Sequence, residues 1–213
     1  MTRLTSTFGF SRKSLAPWLL AFCSSAALAE QTAPHAALVP ALQSLCGQAF
    51  AGIIERDNSA DARFAGKALV MHVRDCSATS LAVPFHVGDD GSRIWRFSTT
   101  ADGLLFQHDH RHVDGKPDEV TLYGGHSDAS LSRFTAQGFI VAFPADEPSK
   151  TMFAAHGMAA SQHNVWSIAI DGVKGQRPTV MRYQLHRPGR EFIVRFDLTK
   201  PLKLPAPAWD LRL

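Results

Sequence analysis

The chain has 213 residues, with 22 Lys and Arg against 19 Asp and Glu. All nineteen acidic residues lie at or after Glu30, and three basic ones, Arg3, Arg12 and Lys13, lie before it. A cut after Ala29 leaves 213 − 29 = 184 residues with 22 − 3 = 19 basic and 19 acidic groups, so the basic whole-chain balance argues for neither nucleic acid nor an anionic membrane.

Residues 1–29 read as a secretory signal. Arg3, Arg12 and Lys13 supply the basic start, Leu15 to Ala27 the apolar run, and Ala27-Leu28-Ala29 the small-x-small cleavage site. That run is too short for a permanent anchor, so the mature chain is expected in the periplasm or secreted, with no stable membrane anchor. Residues 30–42 are Ala/Pro-rich and read as a tether, with a helical turn around 41–45. Cys46 and Cys76 are the two mature cysteines, and in an exported protein an even pair favours a disulfide. An antiparallel register that sets Ile53 beside Leu69 also sets Cys46 beside Cys76.

Short β-like runs then alternate with turn chemistry, at 49–56, 68–75, 80–87, 93–99, 104–113, 120–123, 133–143, 164–170, 179–186 and 191–198. Gly88-Asp89-Asp90-Gly91, Ala101-Asp102-Gly103, Asp171-Gly172 and Pro188-Gly189 punctuate them. One helix is predicted near 146–156, capped by Asp146 and closed by Gly157. The segment from Pro201 carries three prolines and is expected to run extended over the surface as a tail, 202–213. The pattern predicts one all-β domain, 43–201: an antiparallel up-and-down β-barrel with one short helix, or alternatively a β-sandwich. A barrel of that strand number has room for one small ligand.

His108-Asp109-His110-Arg111-His112 is the segment with chemistry in it. On a strand the three imidazoles share a face with Leu104 and Phe106, so they look into the protein. Asp109 and Arg111 lie on the opposite, more polar face. Neighbouring same-face residues are about 6.8 Å apart, so a His-x-His pair can close on one ion while the outer two cannot easily share it. His126 is a further candidate metal ligand, and Glu119, Tyr123 and His86 are candidates for a polar ligand pocket. An imidazole-rich set suits a transition metal, Zn, Fe, Cu or Ni, more than Ca or Mg. Two other readings of the run stay open: a pocket for a small polar organic molecule, and a hydrogen-bonded network of Asp109 with Arg111 and of the histidines with Glu119 or Tyr123. Gly124-Gly125-His126-Ser127 lacks the Gly-x-Ser-x-Gly pattern of a nucleophile elbow, and no general-base constellation stands beside the histidines. Binding of a metal ion or small molecule is therefore favoured over catalysis. A metal-dependent hydrolase or lyase and a structural envelope protein are the alternatives.

Pro84-Phe85-His86-Val87-Gly88-Asp89-Asp90-Gly91-Ser92-Arg93, the run His108 to Gly115, Tyr123-Gly124-Gly125 and Asn164-Val165-Trp166 together resemble a family of uncharacterised exported bacterial proteins with a His-Asp-His-Arg-His-x-Asp-Gly motif. The resemblance implies export and a single domain, and no activity. The start of the first strand, Gly47-Gln48-Ala49-Phe50-Ala51-Gly52, is similar to the opening of calycin-type, lipocalin-like barrels, with Phe50 where those carry Trp. It implies a barrel, and no site residue is carried over from it.

Overall fold

The computed structural model describes residues 1–3, 5, 33–59, 63–172 and 177–211, and the expected signal segment lies almost wholly outside them. The chain from residue 33 onward forms helix α1 (Pro34–Gln43), strands β1 (Ala49–Asp57), β2 (Leu69–His72), β3 (Ser80–Val87), β4 (Asp90–Thr100), β5 (Gly103–His110), β6 (Tyr123–His126), β7 (Asp128–Phe134) and β8 (Gly138–Pro144), helix α2 (Glu147–Ala155), and strands β9 (Val165–Asp171), β10 (Val180–Arg187) and β11 (Arg190–Leu202). Short 3-10 turns cover Ala159–His163 and Trp209–Leu211. Among the described residues, no helix is long and apolar enough to cross a membrane.

The strands make one antiparallel sheet in the order β6-β5-β4-β3-β2-β1-β11-β10-β9-β8-β7. Ten antiparallel pairings separate β6 from β7, so the two point the same way, and only Ser127 lies between them. One run of chain thus pairs with β5 through its first half and with β8 through its second. This nearly closes the sheet into an up-and-down barrel, and the sandwich alternative falls. Counting β6 and β7 as one strand, the ring has 11 − 1 = 10 positions.

The free edge of β6 is covered rather than left open. Gly124 N–H donates to Ser149 Oγ at 2.8 Å, Ser149 Oγ–H donates back to Gly124 O at 3.1 Å, and Asp146 N–H donates to the same carbonyl at 2.9 Å. The start of α2 is therefore what seals the seam. Its N-cap is Asp146, whose side chain accepts from Ser149 N–H, as the sequence predicts.

Inward side chains alternate along most of the strands and form a continuous core of Leu, Val, Phe, Trp and Met. The structure departs from the sequence expectations at several elements. The segment read as a tether is helix α1, which begins with Pro34 in its first turn, where a missing N–H costs nothing. Its Leu38, Val39, Ala41 and Leu42 are buried, and it packs against β3, β5, β7 and β8. The single strand expected at 133–143 is two strands joined by a turn at 135–137, because Gly138 N–H donates to Thr135 Oγ1 and Thr135 N–H to Gly138 O. The strand expected at 120–123 is displaced to Tyr123–His126. The first hairpin pairs Gly52, not Ile53, with Leu69.

Even so, Cys46 and Cys76 form a disulfide, with Cα atoms 6.3 Å apart. Strand β2 ends at His72, and Asp75 adopts a positive φ of 50°, so the chain turns away from the ladder before Cys76. The bridge closes a separation of 30 residues. Replacing both cysteines by serine is expected to lower unfolding stability by about 3 kcal/mol. A urea midpoint unchanged from the oxidised protein would refute this.

Candidate ligand-binding site

Strands β1, β3, β5, β8 and β10 all run toward one end of the barrel, since each alternate member of the ring shares a direction. The turn after β10 and the helix α2 with its following 3-10 turn therefore gather at that end, and a cavity of about 210 Å³ opens there. This is smaller than the roughly 300–1,000 Å³ of sites for drug-sized ligands.

The floor is aromatic. Trp95 on β4 and Tyr183 on β10 lie five positions apart round the ring, yet their rings stack 4.5 Å apart across the interior. Phe85 also stacks on Trp95, at 4.7 Å. His108 is buried beside them. Its Nδ1 faces the Tyr123 carbonyl oxygen at 3.4 Å, which can only accept, so Nδ1 carries the hydrogen. Nε2 then accepts from the Tyr183 hydroxyl at 2.9 Å. Burial raises the Tyr183 pKa well above its ordinary value, and Trp166 works against that rise. Every hydrogen in this chain is committed. Burial, then the neighbouring His110, pull the His108 pKa down to about 3.

One layer nearer the mouth, His110 Nε2 sits 3.0 Å from the Tyr123 hydroxyl, and either atom can be the donor. Burial and then the Arg93 charge lower the His110 pKa to about 4, while burial raises the Tyr123 phenol to about 12. Both are neutral at pH 7. Arg93 is directly opposite His110 across the β4–β5 ladder.

The rim is cationic. Arg63, Arg93, Arg187 and Arg190 all line the cavity, and among the described residues no Asp or Glu does. Three of these are held back by one nitrogen. Arg93 Nη1 donates to Asp90 at 2.7 Å, and Arg190 Nη1 to Asp57 at 2.6 Å. Arg187 Nη1 donates to Ser161 Oγ and Asn164 Oδ1, both at 3.0 Å. Arg187 has no carboxylate partner among the described residues. Burial, then the Arg190 charge, push its guanidinium below the ordinary value. Arg93 also lies over the Phe64 ring at 5.8 Å and Arg190 over Phe192 at 5.1 Å, which fixes their planes.

Of the residues picked out from sequence, the structure brings together His108, His110 and Tyr123. His112 is not with them. Strand β5 ends at His110, and His112 N–H donates to Lys116 O in the following turn. Its side chain is 58% exposed and stands 3.8 Å from Asp118. His126 bonds Thr100 Oγ1 at 3.1 Å near the opposite end of the barrel. Glu119 is exposed and stands 3.8 Å from His156. His86 faces outward from β3, because Phe85 and Val87 on either side take the inward positions. It is buried, with Pro205, Ala206, Pro207 and Trp209 lining the groove beside it. Among the described residues, no group of three or more His, Cys, Asp or Glu is placed to hold a metal ion.

No protein-family model, curated protein or solved structure matches the chain. The geometry alone carries the functional reading.

Asp109 lies on the face opposite the histidines, as expected, but it is fully buried there rather than solvated. Arg96 Nε and Arg111 Nε each donate to it at 2.7 Å, and Thr121 Oγ1 donates at 3.2 Å. Burial opposes its ionisation, yet the two guanidinium bonds hold its carboxyl below the usual range. Asp210, from the C-terminal segment, bonds Arg96 at 3.3 Å and also Arg74. That segment lies over the outside of the barrel, as its prolines predict, and Ala208 packs there with Ala82 and Ile94. The expected Asp109–Arg111 pair is present, and it props the back of the strand that carries His108 and His110.

The rim arginines escaped the sequence reading, though a signal existed. Arg93 continues the inward series Phe97, Trp95; Arg187 continues Tyr183, Leu185; Arg190 continues Val194, Phe192. Each is a charge at the end of an apolar inward stripe.

Proposed function

We propose that this is an exported binding protein whose barrel takes one small organic anion at the open end. The observation that carries the reading is Arg187: a half-buried guanidinium oriented by two neutral residues, Ser161 and Asn164, beside a cavity that among the described residues is lined by four arginines and no carboxylate. A cation partly withdrawn from water gains from a counter-charge, and a bound anion supplies the one this arrangement lacks among the described residues. Export is supported by the signal-like first 29 residues and by the Cys46–Cys76 bridge. Binding is favoured over turnover because the His108 hydrogens are all engaged and, among the described residues, no serine or cysteine hydrogen-bonds His110. Metal capture would draw on the same two histidines, and each already bonds a tyrosine hydroxyl.

Trp95 and Trp166 line the cavity, so intrinsic fluorescence reports occupancy. Titration with benzoate should give saturable quenching, and benzamide, its neutral counterpart, should bind at least about tenfold more weakly. Arg187→Ala should weaken benzoate by a similar factor, since hydrogen bonds to a charged group are worth about 1.5–3 kcal/mol. Zinc chloride serves as the rival probe. Saturable zinc binding lost in His110→Ala, with no anion bound, would overturn the proposal in favour of a metal site.

A further inference from the structure

We infer that the anion is an aromatic monocarboxylate, held by its carboxylate at Arg187 and Arg190 and by a hydroxyl or carbonyl at the His110–Tyr123 pair on the facing wall. This deepens the anion reading above and rests on it.

The charge follows from the rim. Of Arg93, Arg187 and Arg190, two already have a carboxylate, Asp90 and Asp57, and Arg187 has none among the described residues. A single negative charge on the ligand neutralises it. The shape of the charged group follows from the hydrogen bonds. Toward the described residues, Arg187 spends only Nη1, on Ser161 and Asn164, and Arg190 spends only Nη1, on Asp57, Asn58 and the Glu191 carbonyl. The Nε–H and Nη2 edge of each guanidinium is left to donate, and that edge is a planar fork that matches the two oxygens of a carboxylate.

The body of the ligand follows from the wall. Apart from the charged and hydrogen-bonding groups, the lining is dominated by Phe64, Phe85, Trp95, Phe153, Trp166 and Phe192. Such rings prefer another ring, in offset or edge-to-face contact, over an aliphatic body of equal size. The far end follows from which polar groups remain free to respond. The hydrogens of His108 are fixed in one direction by the Tyr123 carbonyl and Tyr183. The His110 Nε2–Tyr123 hydroxyl bond can run either way, so the pair can donate to a ligand carbonyl or accept from a ligand hydroxyl. β5 and β10 lie four positions apart in a ring of ten, so His110 faces Arg187 nearly across the mouth. A ring bearing a carboxylate and a hydroxyl on opposite carbons spans such a pair of walls.

The test compares benzoate, 4-hydroxybenzoate, cyclohexanecarboxylate and inorganic phosphate on the whole mature protein by calorimetry. The expected order is 4-hydroxybenzoate tightest, benzoate next, and cyclohexanecarboxylate about fivefold or more below benzoate, with phosphate weakest. Tyr123→Phe should bring 4-hydroxybenzoate down to the level of benzoate and leave benzoate itself unchanged. His110→Gln, checked for an unaltered thermal midpoint, should do the same, and it covers the case in which Tyr123→Phe fails to fold. Equal affinity for benzoate and cyclohexanecarboxylate would overturn the aromatic assignment. Phosphate binding tightest would overturn the carboxylate and leave an anion site standing. A preference for 4-hydroxybenzoate that survives both variants would overturn the role given to the His110–Tyr123 pair. If none of the four anions binds, the anion reading falls with it.

Discussion

Gly125→Ala is expected to cost about 4 kcal/mol or more, at the far end of what single substitutions do. A Cβ on Gly125 would stand 2.0 Å from the Pro144 carbonyl oxygen, and one on Gly124 would stand 1.8 Å from the Phe106 carbonyl oxygen. Neither neighbour is a side chain that can rotate away. Both contacts are backbone on backbone, at the place where β6 meets β5 on one side and the end of β8 on the other. Relief requires β6 to move out, which breaks the bonds from Asp146 and Ser149 to Gly124 and opens the barrel at its seam. Gly157→Ala is the internal control. That glycine has a φ of +70° but nothing within 4 Å of a new Cβ, so only the backbone cost of about 1 kcal/mol applies. Urea midpoints for the two variants should differ clearly. If Gly125→Ala unfolds no more easily than Gly157→Ala, the seam is not what those glycines serve.

Those two glycines show what a linear reading of the sequence passes over. Tyr123-Gly124-Gly125 is visible as a motif, and its failure to fit a nucleophile elbow is visible too. What it is for depends on Pro144, twenty residues away, and a close approach of two backbones has no local signature. The same holds for α1. Its two prolines and its Ala33 start, with no side-chain cap, resemble a linker, and the helix exists because Leu38 and Leu42 find the barrel interior. By contrast, β3, β4, β5, β9 and β10 follow directly from alternating side chains between Gly and Asp turns. That signal is local, so it survives without knowledge of the partners. The missed register of the first hairpin is a one-residue matter, and no short turn sets it there.

The site was half legible for the same reason. Period-two alternation put His108 and His110 on the inward face with Leu104 and Phe106, and both are there. Alternation could not say where β5 stops, so His112 was carried along with them. The rim arginines are inward by the same alternation, but a charge beside a turn is ordinarily solvated. Only the closed barrel, which brings the ends of β4, β10 and β11 together, makes them one site.

Acidification from pH 7 to pH 5 is expected to destabilise the protein by up to about 4 kcal/mol, about 2 kcal/mol for each of His108 and His110, at 1.36 kcal/mol per pKa unit. In the folded protein their pKa values lie at about 3 and about 4, whereas in the unfolded chain both return to the ordinary imidazole value of 6.5. The unfolded state therefore binds more protons throughout this window. Stability is complete above pH 6.5 and is lost as pH falls toward 4. His72 and His86 are also shifted down by burial and add to the loss with the same sign. The carboxyls of Asp57, Asp90 and Asp109 are held below their ordinary value of 3.8, so they begin to weigh only at still lower pH. Urea denaturation at pH 7, 6 and 5 measures the slope. His108→Gln removes one titrating ring while keeping an acceptor for the Tyr183 hydroxyl, so its stability should fall with pH markedly less steeply than that of the parent. A parent protein whose midpoint stays level between pH 7 and pH 5 would show that these imidazoles are not held neutral in the fold, and the proton-committed chain from Tyr183 through His108 to the Tyr123 carbonyl would have to be redrawn.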